Sequence, residues 1–404
     1  MKKTLLIVSL FTTIIIAQSS SEKETFGITF GGFVKTDVMF DSRQNVTIRE
    51  GHFLLYPENK LFDVNQKDVN AESNFNILSI QTRLTGKITA PDVLGAKTSG
   101  ILEGAFFGHT NPDINGFRLR LAFVKLDWEK TSIIAGQYWH PMFLTEVFPN
   151  VVSFNTGVPF QPFSRNPQLR FTQKFGTTSL TATAYTQRDF ASPGSVGASS
   201  IYMRNGVIPG LNLQAAFGFP HLLFGFSGDM KRLRPRLVTE ANYSTTETIT
   251  SYAGTIYGKY YENDFSVKLQ GVYGENLNDL TMLGGYAVYE KDPITKIEKY
   301  TNLKVFSVWA DAAYGKVTEF GIFVGYTKNL GAEKDFATPY TRGLNIAYIY
   351  RVSPRVIYNV GKFRIAGEVE YTVASYGTPD AKGKVDLNEP VANIRILTAF
   401  YLFF

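Results

Sequence analysis

The chain finishes on NIRILTAFYLFF, from Asn393 to Phe404, and the facing pattern of this stretch decides the fold. Taken at every second residue, Ile394, Ile396, Thr398, Phe400, Leu402 and Phe404 fall on one side. Asn393, Arg395, Leu397, Ala399, Tyr401 and Phe403 fall on the other. A period of two is the period of a β-strand. One face is apolar along its length, while the other carries an arginine and an asparagine. Such a strand divides an oily phase from a wetter one.

The same alternation recurs along the chain. In FGITFGGFVKTDVMF, residues Phe26, Ile28, Phe30, Gly32, Val34, Val38 and Phe40 oppose Thr29, Lys35 and Asp37. In NILSIQTRLTGKIT, Leu78, Ile80, Leu84 and Ile88 oppose Gln81, Arg83, Thr85 and Lys87. DFSVKLQGVYG sets Phe265, Val267, Leu269 and Tyr273 against Ser266, Lys268 and Gln270. KFRIAGEVEYTV sets Phe363, Ile365, Val369, Tyr371 and Val373 against Arg364, Glu368, Glu370 and Thr372.

A secreted β-sandwich also alternates, with its apolar face inward. Three features favour a barrel turned the other way. Runs with one charged and one apolar face extend near the roughly 9–11 residues that cross a bilayer at a tilt, against about 5–6 for sandwich strands. Tyr and Phe gather at strand ends, as in YGKYYEN, AYIYRV and FYLFF, where interfacial girdles belong. The chain also stops on a strand, and a β protein in hydrocarbon must close on itself to pair every backbone group. The reading is all-β: a transmembrane antiparallel β-barrel of about 16 strands over residues 18–404. The strands fall at 26–40, 74–90, 97–109, 116–128, 130–139, 167–176, 177–188 and 209–219, then 221–233, 249–262, 264–275, 302–315, 318–329, 342–353, 362–376 and 390–404. Tight turns at Glu129–Lys130, near 176–178, near 262–264 and near 315–317 read as periplasmic. The longer connections 41–73, 140–166, 189–208, 276–301 and 377–389 read as external.

Composition narrows the chemistry. The 404 residues contain no Cys, which removes disulfides and thiolate metal sites. The four histidines (His52, His109, His140 and His221) are scattered singly, and no metal spacing, phosphate loop or nucleophile–histidine context is present. A formal charge of +6 is far from the basic stripe of a nucleic-acid binder. No enzyme, cofactor, metal or nucleic-acid partner is expected. The first residues, MKKTLLIVSLFTTIIIAQ, give Lys2 and Lys3, then an apolar run to Ile16 and a small residue at Ala17. Residues 1–17 read as a cleaved signal peptide, so the protein is expected to be exported to the bacterial outer membrane.

Some stretches are more specific than alternation. GGFVKTDVMFDS opens the first strand, FRLRLAFVKL makes the fourth, AGQYW closes the fifth, and RNPQLRFT follows a loop rich in Pro, Phe and Asn. Their order resembles the DcaP-like family of outer-membrane porins, most densely over residues 26–40 and 116–175. The resemblance implies a sixteen-stranded, homotrimeric porin for small hydrophilic solutes, often anionic, such as dicarboxylates. Two features depart from the family: His140, Pro141 and Met142 stand where members often have a Ser/Thr-rich turn, and strand one is expected to begin almost at the cleavage site, where some members carry a coiled-coil helix.

In a porin, wall charges act through the field they set in a narrow aqueous path. Parity assigns Lys35, Arg83, Lys87, Arg118, Arg120, Arg170, Lys268 and Arg364 to the lumen, with Asp37, Glu103, Asp311, Glu368 and Glu370. Guanidiniums in a row offer bidentate contacts to carboxylates. Alternatively, they pair with wall acids and only knit the barrel together. The segment 140–166 is too long and apolar for a solvated loop, so it is expected to fold inward as a constriction. Phe143, Phe148, Phe154, Phe160 and Phe163 would then pack on the wall, with Glu146 facing the arginines. Phe400, Leu402 and Phe404 form a barrel-closing C-terminal signal for the assembly machinery. Arg232, Arg234 and Arg236 in KRLRPR share parity with Leu222, Phe224 and Phe226: either the strand has passed the membrane and they meet lipopolysaccharide phosphates, or a bulge near Gly228 turns them inward. The competing reading is a non-conducting structural or adhesin-type barrel with a plugged lumen.

Overall fold

The computed structural model describes residues 26–108 and 111–404; the proposed signal peptide at 1–17 lies outside the described residues. The chain begins with β1 (Gly27–Asp41), then a hairpin of β2 (Asn45–Ile48) and β3 (Phe53–Pro57). Next come β4 (Asn74–Leu78) and β5 (Arg83–Val93), which make one broken stave. The wall continues through β6 (Ala96–Phe106), β7 (Phe117–Asp127), β8 (Thr131–Trp139), β9 (Arg165–Phe175), β10 (Thr178–Tyr185) and β11 (Gly210–Gly218). Then follow β12 (Leu222–Leu233), β13 (Ile249–Glu262), β14 (Phe265–Glu275), β15 (Gly284–Lys291) and β16 (Glu298–Tyr314). The last are β17 (Thr318–Ala332), β18 (Thr338–Arg342), β19 (Ile346–Val360), β20 (Phe363–Gly377) and β21 (Asn388–Phe403).

Each stave pairs antiparallel with the next, and β1 closes the ring. On one side β1 runs against β21, from Phe33 opposite Phe403 to Asp41 opposite Arg395. On its other side it pairs with β5 and β4, with Phe33 opposite Arg83 and Asp37 opposite Leu78. The result is a closed 16-strand barrel, the number read from the sequence. Closure leaves no open edge, the condition for a sheet in hydrocarbon.

Orientation follows from exposure. Phe400 and Leu402 are 39% and 52% exposed, whereas Leu397 and Ala399 on the opposite parity are 1% and 0%. Val34, Leu84, Leu169, Phe171, Ile256 and Phe320 also point outward from their staves, while Lys35, Asp37 and Arg395 are buried inside. The apolar side of each zigzag therefore forms the outer surface. Tight turns sit where the sequence places them at Gly176, with a left-handed φ of 59°, and at Asn263, with one of 53°; Gly361, at 58°, makes a turn the sequence reading did not place, after a strand that runs on to Val360. These conformations favour Gly and Asn.

Several elements were not visible in the sequence. The β2–β3 hairpin dips into the barrel, with Phe53, Leu54, Leu55 and Tyr56 buried. Strands β15 and β18 pair with each other, and β15 also pairs with the start of β16. A short helix, α1 (Ile201–Asn205), lies in the β10–β11 connection. Their residues alternate over too few positions for a period to emerge.

Candidate functional site

The connection from β8 to β9 enters the lumen and is held by staves around it. Gln270 on β14 donates to the Met142 carbonyl at 3.0 Å, and Lys268 to the Phe148 carbonyl at 3.1 Å. Lys35 on β1 donates to the Val152 carbonyl at 2.9 Å. Glu368 on β20 accepts from the Val152 and Ser153 backbone N–H groups at 2.6 and 3.2 Å, and Glu370 from Asn155 Nδ2 at 2.5 Å. Arg351 on β19 donates to the Val158 carbonyl at 2.9 Å, and Ser307 on β16 to the Phe160 carbonyl at 2.7 Å. Inward charges thus supply the partners that a loop inside a barrel lacks from water.

The apolar side chains of this loop meet the hairpin. Phe53 packs edge-on against Phe154 and Phe163 with ring centroids 5.3 and 5.2 Å apart, and Arg351 donates to the Leu55 carbonyl at 3.0 Å. Phe143, Phe154, Phe160 and Phe163 are buried in one core with Met282, Trp309 and Phe323. Phe148 is the exception at 37% exposed. Part of the lumen is therefore dry and packed.

The lumen charges separate into three groups. In the first, charges are spent on the fold. Lys35 sits 3.0 Å from Asp37, which also contacts His52 Nε2 at 2.6 Å. Burial pushes the His52 imidazole below its ordinary value of 6.5, with Asp37 opposing the shift. Arg355 makes two contacts to Asp311 at 2.6 and 3.1 Å, and Arg395 reaches Asp41 at 2.7 Å. The second group is an arginine cluster. Arg120 Nε donates to Glu103 at 2.8 Å, and Arg83 Nε lies 3.7 Å from the same oxygen. Arg118 and Arg165 share Asp189 at 3.0 and 2.7 Å. Burial raises the Asp189 carboxyl, but Arg165 and Arg118 outweigh this and hold it below its ordinary value. Arg118 and Arg120 are only 4% and 2% exposed, which corrects the expectation that they line open water.

The third group does face water. A cavity of about 270 Å³ lies on the tight-turn side of the loop, bordered by Lys125, Arg170, Lys174, Glu146, Tyr138 and Phe143. A neighbouring cavity of about 540 Å³ shares Thr145 and Glu146 and adds Lys259, Lys268 and Phe148. Glu146 is exposed here, so it faces Arg170 and lysines; the acids at Arg118 and Arg120 are Asp189 and Glu103. Arg364 stands apart, bonded to Asn359 and set over the Tyr401 and Phe403 rings. Lys87 is exposed.

Among the described residues, no group of three or more His, Asp or Glu could hold a metal ion. His140 is a buried wall residue whose Nδ1 accepts from the Met142 N–H at 3.2 Å. In KRLRPR, Lys231 turns inward to Asp279 and the Asn276 carbonyl. Arg232 donates to Thr248, Arg234 to the Thr245 carbonyl, and Arg236 pairs with Glu298 and Glu240. All three arginines of that run have partners within the chain.

No family model matches the sequence, and no curated protein does. Solved structures do. The outer-membrane channel DcaP of Acinetobacter baumannii superposes with a TM-score of 0.70 at 16% identity, covering 96% of this chain and 100% of that one. The chain has the fold of a DcaP-like porin. OmpT, an outer-membrane protein of Vibrio cholerae, gives 0.57 at 12% identity over 96% of this chain and 100% of its own. An anion-selective porin from Comamonas acidovorans gives 0.56 at 12% identity, covering 94% and 100%. The porin fold is thus kept under sequences this different because it needs only alternation, even strand number and closure.

Proposed function

We propose that this protein is a diffusion channel of the bacterial outer membrane for small hydrophilic solutes, favouring anions such as dicarboxylates. One observation carries the reading: Arg170, Lys174, Lys259 and Lys268 border two neighbouring cavities with the single acid Glu146, while Lys125 beside them is paired to Asp127 at 2.6 Å. Low-dielectric walls focus such an excess of one sign and raise the local anion concentration. Arg170 adds a planar fork suited to carboxylates. The inserted 140–164 loop narrows the path, so solutes pass close enough to feel these charges.

The remaining parts of the reading follow from the barrel. Residues 1–17 direct export, and Phe400, Leu402 and Phe404 present the closing strand to the assembly machinery. The apolar outer wall meets lipid, lipopolysaccharide above it, and two further copies in a homotrimer. OmpT of Vibrio cholerae has a trimer form with this fold.

Reversal potential across a KCl gradient in a planar bilayer tests the proposal. The native protein should prefer chloride, and cation preference would overturn the anion reading. The packed apolar core supports a second reading, a closed structural barrel, which predicts no conductance steps at all.

A further inference from the structure

Asp189 lies in the connection between β10 and β11 and reaches back to the wall. Its Oδ2 accepts from Arg165 Nε at 2.8 Å, and its Oδ1 lies 3.0 Å from Arg118 Nη1. The carboxylate is only 4% exposed. One carboxylate gripped by two guanidiniums is how an arginine site holds a carboxylate ligand. A pair serving only to neutralise charge needs one arginine per acid. Here Arg83, Arg118, Arg120 and Arg165 meet Glu103 and Asp189, a surplus of 4 − 2 = 2 positive charges in the pairs described. Arg118 Nε and Arg120 Nη1 are buried donors with no hydrogen-bond partner.

The far side of Asp189 opens to a cavity of about 350 Å³ on the long-connection side of the barrel. It is lined by Arg188, Asp189, Phe190, Ser199, Asn278 and Arg342. Arg342 Nη1 is buried without a hydrogen-bond partner. Beyond the cluster, Trp139 stacks on Phe143 at 4.0 Å, and Phe143 and Arg170 border the cavity beyond. The cluster therefore stands between an external and an internal chamber, with Asp189 on the external side.

We propose that Asp189 is a tethered occupant of an anion-binding site, its carboxylate holding at Arg118 and Arg165 the place that a solute carboxylate takes during passage. The inference rests on the anion-channel reading. An arriving dicarboxylate meets Arg188 and Arg342 first, and one of its carboxylates then exchanges with that of Asp189. Exchange of like for like leaves neither guanidinium buried and uncompensated, a state that is strongly unfavourable. Asp189 thus sets the affinity a solute must have to enter.

The test compares the native protein with Asp189→Asn and Asp189→Ser in planar bilayers, with succinate as the probe. With the internal competitor gone, half-block of the chloride current should need roughly tenfold less succinate, and the chloride-to-potassium permeability ratio should rise. Half-block unchanged within about twofold in both variants overturns the inference, even when the native channel is anion-selective. Cation preference in the native protein sinks the channel reading instead, and is seen without any variant. Should neither variant give the heat-modifiable band of a folded barrel, hydrogen exchange on the native protein decides. Succinate should speed exchange in the 186–209 segment, chloride at equal ionic strength should not, and equal exchange in both overturns the proposal.

Discussion

On the β16, β19, β20, β21 and β1 side of the lumen, Arg355, Arg351 and Arg395 are matched to Asp311, Glu370 and Asp41. Toward β7, β9, β13 and β14, Lys125, Arg170, Lys174, Lys259 and Lys268 border open cavities with Glu146. Both regions carry cations of inward parity, those named being all arginine in the first and mostly lysine in the second. What differs is how closely the loop packs on them: Lys268 also reaches the loop, at the Phe148 carbonyl, but borders an open cavity. Where the 140–164 loop and the β2–β3 hairpin press on the wall, each charge must find an acid or a backbone partner, because a bare buried charge is very costly. Where the wall borders open cavities, Lys125 pairs with Asp127 at 2.6 Å, while Arg170, Lys174, Lys259 and Lys268 have no ion-pair partner among the described residues.

Removing the cover gives the largest expected effect. Deleting residues 146–162 should raise single-channel conductance roughly severalfold and admit larger solutes. Unchanged conductance and cutoff would mean that the loop does not narrow the path. Next comes the clamp: Arg395→Ala strands the buried Asp41 and should cost about 3–5 kcal/mol in urea unfolding of the detergent-solubilised barrel. A smaller, purely electrical change is expected from Arg170→Ala combined with Lys268→Ala. The chloride-to-potassium permeability ratio should fall by about threefold with the unfolding midpoint little changed.

Acid acts at the boundary between the two regions. The Asp189 carboxyl is held below its ordinary value of 3.8, since Arg165 and Arg118 outweigh its burial. Its contribution to stability is complete above that value and is lost as pH falls through the lower folded one. Urea midpoints of the native protein and Asp189→Asn should differ at about pH 6 and converge well below about pH 4. The smallest effect is expected at the rim. Lys60 and Glu389 pair at 2.7 Å in the open, and Glu389→Gln should leave the unfolding midpoint unmoved.

The outer wall was legible in the sequence almost residue by residue. Phe400 and Leu402 stand outside and Arg395 inside, as every-second-residue counting requires. Lys35, Arg118, Arg120, Arg170, Lys268 and Arg364 all project inward. Their partners were not legible. Arg351 and Arg355 share one parity in AYIYRVSPRV and could have been found by the same count. Arg165 could not, because it shares parity with the outward Leu169 and Phe171 and turns inward only where β9 meets the inserted loop. Asp189 lies in a connection without any period.

By itself, then, the sequence determined the number of staves and the side that most wall residues take, because the pleat repeats every two residues, although Ile80 and Val373, set on the outer face by that count, are buried inside. Only the tertiary structure decided which lumen charges are spent and which are free. Lys35 bonds to Val152 and Glu368 holds the Val152 and Ser153 amides, contacts between residues far apart in the chain. Such contacts depend on where a long loop comes to rest, and that is fixed by burial of its phenylalanines against the whole wall rather than by any local pattern.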